Sequence, residues 1–394
     1  MKHSRYIYGL AAGHLLVDFN QGALAALLPI LIATYHFNYA IAATLVFAMN
    51  LVSSIVQPLF GYLSDHRQTS GVIVWAILIA GIGFCFLGWV SDYSLLILGV
   101  LVCGLGIAAY HPDAAKLVNG LAFQKKGRAM SLFSFGGNLG FAIGPIILTF
   151  IVNQSGIHGI TFLLIPTVLI ALILVLILYQ IQQTSVETPL HKKKTESVSK
   201  QRRDSSDWRH FSILSVTLFG RSIVFYGLNT FLTLYWIHIL KQTNTSGSIA
   251  LSLLFIVGSI GTLLGGRLAD QFGYTIVIKS AFVGLPLLLL ALSLTRNVVV
   301  ANLILLPLGL LVFMPYSAMV ILGQRYLPQQ MGLASGVTLG LAVSVGGIMS
   351  PLLGLIADAT NLVIVLQVLA VIAIIPAVAA FGLTNNANFK RHTP

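Results

Sequence analysis

The sequence predicts an all-α membrane protein of about twelve transmembrane helices, arranged as two parallel six-helix pseudo-repeats. Three observations carry this: an apolar composition, a series of membrane-length apolar runs, and landmarks that recur at one interval. Of 394 residues, 57% are hydrophobic and 8% charged, and the mean hydropathy is +0.92, far outside the range of water-soluble domains. A helix needs about 20 apolar residues to cross the hydrocarbon core, and such runs fill nearly the whole chain. No stretch between them could hold a soluble catalytic domain, so function has to lie within or between helices.

The first run, 6–34, follows Lys2 and Arg5 and contains His14 and Asp18. It lacks a small-residue cleavage site behind a short apolar core, so it is expected to be retained rather than removed as a signal peptide. The second, 39–63, ends near Gln57-Pro58, and the third, 71–90, contains Cys85. The fourth, 94–120, carries Cys103 and Tyr110-His111-Pro112; the fifth, 128–153, follows Lys125, Lys126 and Arg128 and holds Gly144-Pro145. The sixth, 159–182, completes the first half. In the second half the runs are 210–239, with Arg221, then 248–268, 274–294, 298–325, with Met314-Pro315, 332–357 and 361–384. The expected organisation is a bundle over 1–182, a basic linker over 183–209 and a second bundle over 210–394.

The formal charge of +12 does not indicate nucleic-acid binding, because the basic residues sit in short connections between apolar runs. Lys2, Arg5, Arg67, Lys125, Lys126, Arg128, the linker cluster from Lys192 to Arg209, Lys390 and Arg391 all fall on one side; the other side keeps only Lys241 and Arg296. By the positive-inside rule both termini are cytoplasmic, in a multi-pass protein of the cell (inner) membrane. The linker reads as a solvated topology determinant that also suits anionic lipid headgroups. Cys85 and Cys103 lie inside predicted helices with no CxxC, so neither a disulfide framework nor a thiolate metal site is indicated.

The repeat is visible by hand. Gly61-Tyr62-Leu63-Ser64-Asp65 recurs as Gly266-Arg267-Leu268-Ala269-Asp270, an offset of 205 (266 − 61), and Gly127-Arg128-Ala129 recurs as Gly332-Leu333-Ala334 at the same offset. Gly144-Pro145 answers Ser350-Pro351, and His111-Pro112 answers Met314-Pro315. An even number of helices per repeat makes the halves parallel copies about an axis along the membrane normal, with substrate sites near the midplane between them.

These features resemble the major facilitator superfamily. The residues from Gly61 to Arg67 resemble that family's loop between helices 2 and 3, and those from Gly265 to Gly273 its echo between helices 8 and 9. Arg67 stands where the pattern expects glycine. Gly136-Gly137-Asn138-Leu139-Gly140 with Gly144-Pro145 resembles the superfamily's antiporter motif; read physically, small residues at intervals of four also allow close helix packing. More narrowly, His14 to Asp18, Gln57-Pro58, Tyr110 to Ala115 and Gly136 to Asn138 resemble the fosmidomycin resistance protein group. That resemblance implies proton-coupled drug efflux by alternating access.

Ionisable residues at membrane depth are costly and mark function by default. Asp18, with His14 and Gln21 on the same helical stripe, and His111 are the proton-coupling candidates. Arg221, at similar depth in the repeat partner of helix 1, offers a planar fork for an anion such as a phosphonate or carboxylate. Asp18 and Arg221 serve proton and substrate separately, or else form an ion pair that joins the halves. Substrate-binding candidates are His14, Asp18, Gln21, His111, Arg221, Tyr226, Asn229, Asn138 and Tyr316, with Asn50 a further path-lining polar residue. Asp113 and Lys116, at i and i+3, suit a structural pair. Gating candidates are Asp65, Arg67, Arg267, Asp270, Gly144 and Pro145.

No GxxxxGK[ST] phosphate loop is present, so ATP-driven export is not indicated. His14, Asp18, His111 and Asp113 match no standard metal spacing, and no cofactor or metal is expected. The leading reading is a drug:proton antiporter, a functional monomer in lipid rather than an enzyme, exporting small and fosmidomycin-like, anionic compounds. The alternatives are a proton-coupled symporter importing an organic acid or sugar, and an intramembrane lipid-modifying enzyme using His111 with Asp18 or Asp113.

Overall fold

A computed structural model of the chain describes residues 4–66, 71–122, 126–186, 206–330, 333–334 and 336–384. The first half contains α1 (Ser4–Tyr35), α2 (Tyr39–His66), α3 (Val72–Phe86), α4 (Tyr93–Leu121), α5 (Lys126–Ser155) and α6 (Leu164–Val186). The second contains α7 (Trp208–His238), α8 (Asn244–Phe272), α9 (Tyr274–Leu294), α10 (Val298–Tyr326), α11 (Ala342–Ala359) and α12 (Leu362–Phe381). The twelve-helix expectation holds: among the described residues ten helices are long and apolar enough to cross a membrane, and α3 and the main part of α11 are shorter apolar helices. The chain is a multi-pass membrane protein.

Several ends differ from the apolar runs because polar caps and turns, not hydropathy, set them. Thr243 accepts from the Ser246 amide and starts α8 four residues before its apolar run, while Asp207 caps α7 through the His210 amide. A 3₁₀ turn over Ile157–Leu163 absorbs the expected start of α6, and a π-helical turn over Gly336–Leu341 leads into α11. α10 is interrupted at Met314, between Val298–Phe313 and Pro315–Tyr326, because Pro315 has no N–H to continue the ladder.

Each half has its own apolar core, one built on side chains such as Leu10, Leu27, Phe84 and Tyr110, the other on Leu218, Phe231, Phe282 and Leu366. From the first half, buried Ala25, Ala43 and Ala142 join the second core, and the partly buried Ile32, Tyr39 and Phe141 pack against it, so the halves meet through side chains of both sizes. α1, α2 and α5 face α7, α8 and α11. Leu172 and Leu176 of α6, Leu287 and Leu294 of α9 and Val371 and Val378 of α12 are exposed, as lipid-facing helices require. In the first half α5 lies hard against α1: a side chain at Gly140 would strike the Leu15 carbonyl and one at Gly144 the Phe19 carbonyl. The glycine series therefore acts as a packing seam within one half.

Candidate functional site

α1 and α4 bring His14, Asp18 and His111 together in the first half. His14 and Asp18 are one turn apart on α1, and Nε2 of His14 lies 3.1 Å from Asp18 Oδ2. From α4, Nε2 of His111 lies 3.1 Å from Asp18 Oδ1. Each carboxylate oxygen thus faces one imidazole. The two rings meet edge to face, centroids 4.9 Å apart, and His14 stacks on Phe133 of α5 at 4.1 Å.

Main-chain carbonyls fix both tautomers. His14 Nδ1 lies 2.8 Å from the Phe133 carbonyl, and His111 Nδ1 lies 2.8 Å from the Ile107 carbonyl. A carbonyl only accepts, so both Nδ1 atoms donate and both Nε2 atoms are left to face Asp18. Each Nε2 to oxygen contact then needs one bridging proton. Tyr110 supports the site by donating to the Leu10 carbonyl at 2.5 Å. Gly137 makes room for it: a Cβ there would collide with Asp18 Oδ2 and the His14 ring.

The second half presents a cation. Arg221 on α7 is only 6% exposed, and its Nε donates to the Val312 carbonyl at 2.7 Å, next to the interruption in α10. Its guanidinium carbon stands 4.5 Å from the centroid of the Tyr316 ring, 5.6 Å from Phe225 and 5.8 Å from Phe313, within cation–π range of all three. Among the described residues no carboxylate pairs with Arg221. Asp18 is therefore bound to two histidines, and the direct ion pair with Arg221 is not made. An aromatic cluster continues from this cage across the halves, with Phe141 of α5 5.4 Å from Phe255 and 6.5 Å from Phe225.

The other candidates scatter around these two centres. Gln21 Nε2 reaches Asn50 Oδ1 at 3.5 Å. Tyr226 is buried against Phe225, and Asn229 is buried with Oδ1 unpartnered among the described residues. Asn138 is half-buried on α5. Asp270 accepts from Tyr274 Oη at 3.1 Å, and Arg325 Nη2 donates to the same hydroxyl at 3.1 Å, while Arg267 is exposed. Arg67 and the side chain of Asp65 lie outside the described residues, as do 187–205 of the linker. The ligand atoms of His14, Asp18 and His111 lie within 4.8 Å of one another, so these three are the donors a metal would find. Asp113, about 200° round α4 from His111, is not in the group.

Sequence reasoning missed the supporting parts: Phe133, Gly137 as a space-maker, Phe225, Phe313, and the carbonyls of Ile107, Phe133 and Val312. Of these only Gly137 lay within a motif that drew notice.

Comparison with known proteins agrees with this architecture. The chain is 27% identical over 387 residues to an uncharacterized MFS-type transporter, YfnC, of Bacillus subtilis (strain 168), covering 96% of this chain and 92% of that protein. It is 24% identical to the fosmidomycin resistance protein of Escherichia coli (strain K12), covering 94% and 91%. The fold matches the crystal structure of a bacterial homolog of the human lysosomal transporter Spinster in an inward-facing, unoccupied conformation, with TM-score 0.74, 15% identity and 96% of each chain covered. The family model of the Major Facilitator Superfamily matches residues 10–351, and the chain belongs to that superfamily of transporters.

Proposed function

We propose that this transporter is a proton-coupled antiporter that exports small anionic compounds by alternating access. The observation that carries the reading is the pairing of a protonatable His14–Asp18–His111 cluster in one half with a carboxylate-free, aromatic-flanked Arg221 in the other. With Asp18 ionised and both bridges occupied by protons, the cluster carries two imidazolium groups and one carboxylate, a net single positive charge. An arriving anion is drawn by the guanidinium fork. Loss of one bridging proton leaves one Nε2 facing a carboxylate oxygen with no hydrogen between them, which loosens the contact between α1 and α4. Proton and substrate occupancy are thereby linked through one polar centre.

In this reading His14, Asp18 and His111 handle the proton, while Arg221, Tyr316, Tyr226 and Asn229 with Gln21 and Asn138 line the path. The bodies that rock are 1–182 and 210–394, tethered by 183–209. The basic connections favour an orientation with both termini on the cytoplasmic side of a bacterial inner membrane, and one chain suffices. The similarity to the Escherichia coli fosmidomycin resistance protein supports export.

Proton release on binding tests the reading. Purified protein in weakly buffered detergent is titrated with fosmidomycin and other phosphonates while pH is recorded. Wild type is expected to release protons as it binds, and Asp18→Asn to bind without release. Binding by wild type with no change in proton content would count against competition at this centre.

A further inference from the structure

By the alternation of the twelve helices, the start of α1 (Ser4), the end of α12 (Phe381), the end of α6 (Val186) and the start of α7 (Trp208) fall on one face of the bundle, where Tyr326 Oη donates to the Thr384 carbonyl. The hydrogen bonds that cross between the halves cluster on the other face. There, Asp358 at the end of α11 accepts from the amides of Tyr39 and Ala40, the first residues of α2, at 2.7 and 2.9 Å. Asn153 at the end of α5 donates from Nδ2 to Thr245 Oγ1, at the start of α8, at 3.0 Å.

These contacts are repeat images of each other. Asp358 and Asn153 are 205 residues apart (358 − 153), as are Thr245 and Ala40 (245 − 40), the interval at which the chain repeats. The helix starts match as well. Asn38 caps α2 through the Ile41 amide at 2.8 Å, and Thr243 caps α8 through the Ser246 amide at 3.2 Å, again 205 apart. What differs is the group arriving from the opposite half. On α8 it is a neutral amide that meets a side chain. On α2 it is a carboxylate that takes two main-chain donors at a helix N-terminus, where unpaired N–H groups and the positive end of the helix dipole favour negative charge. Close packing brings it there: a Cβ on Gly354, one turn before Asp358, would strike Ala40.

We propose that Asp358 is the latch of the face opposite the chain termini: it caps α2 from the other half while that face is closed, and lets go when the halves part. The inference rests on the alternating-access part of the function proposed above and is independent of its proton and substrate parts. In the open state the Tyr39 and Ala40 amides turn to water, so the loss of this cap is a cost carried only by opening. Asn153, bound through one neutral contact, is the weaker counterpart.

Spin labels at Ser91 and Val299 report on the gate without touching it. Both are exposed on that face, Ser91 in the 3–4 connection and Val299 in the first turn of α10, and Cys85 and Cys103 are buried away from labelling. In nanodiscs, D358N should raise the population of the longer label distance by roughly threefold to tenfold, the range expected for weakening a helix cap. N153A should raise it less, and N153D, which supplies a second carboxylate at a helix start, should lower it. A longer distance that is present but unchanged in D358N, or that N153D increases, overturns the latch alone. A single distance in every variant, with and without fosmidomycin, overturns alternating access and the latch with it.

Discussion

His111 Nε2 stands 3.1 Å from Asp18 Oδ1 although 93 residues separate them, and with Nδ1 committed to the Ile107 carbonyl this contact needs a proton of its own. His111→Gln can still donate one amide hydrogen to Asp18 but cannot exchange it. The variant should fold and bind substrate while its substrate-driven proton flux falls to the level of empty liposomes. A His111→Gln protein with wild-type flux would leave His14 and Asp18 as the only proton-handling pair.

Arg221→Ala removes a buried cation that donates to Val312 and faces Tyr316. A hydrogen bond to a charged group contributes about 1.5–3 kcal/mol, so affinity for anionic compounds should fall roughly tenfold to a hundredfold, with little change for neutral ones. Arg221→Lys keeps the charge without the planar fork and should rescue only part of the loss. Calorimetric titration of the three proteins with one phosphonate and one neutral compound separates these outcomes.

Gly137→Ala inserts a methyl group where the Asp18 carboxylate and the His14 ring already meet. Overpacking of this kind costs about 1–3 kcal/mol, and here relief requires the His14–Asp18 contact to open. Lower thermal stability together with loss of coupled flux is expected. At Gly71, with nothing within 4 Å of an added Cβ, the same change should leave both properties unchanged.

Much of the fold was legible because each span is one contiguous apolar run and the halves repeat at a fixed interval. The breaks were less so: the run 298–325 was expected unbroken although Pro315 interrupts it at Met314, and the π-helical turn over Gly336–Leu341 had no hydropathy signal. At the site, His14, Asp18 and His111 stood out because ionisable groups are rare at membrane depth. Repeat symmetry set Asp18 opposite Arg221, whereas α4 packs beside α1 in the same half and delivers His111 first. The Ile107, Phe133 and Val312 carbonyls could not be singled out, since every residue carries one. Asp358 lies one residue beyond the apolar run 332–357 and in no motif that was singled out; its meaning depends on where α2 begins in the other half.

The most direct test of coupled transport uses proteoliposomes holding a pH dye, with fosmidomycin, other phosphonates, organic acids and cationic drugs added in turn. Proton movement out of the acidic compartment only when an anionic compound is present, and absent in Asp18→Asn, is the predicted result. Anion transport at the same rate with no proton movement, or full coupled transport by Asp18→Asn, would contradict it.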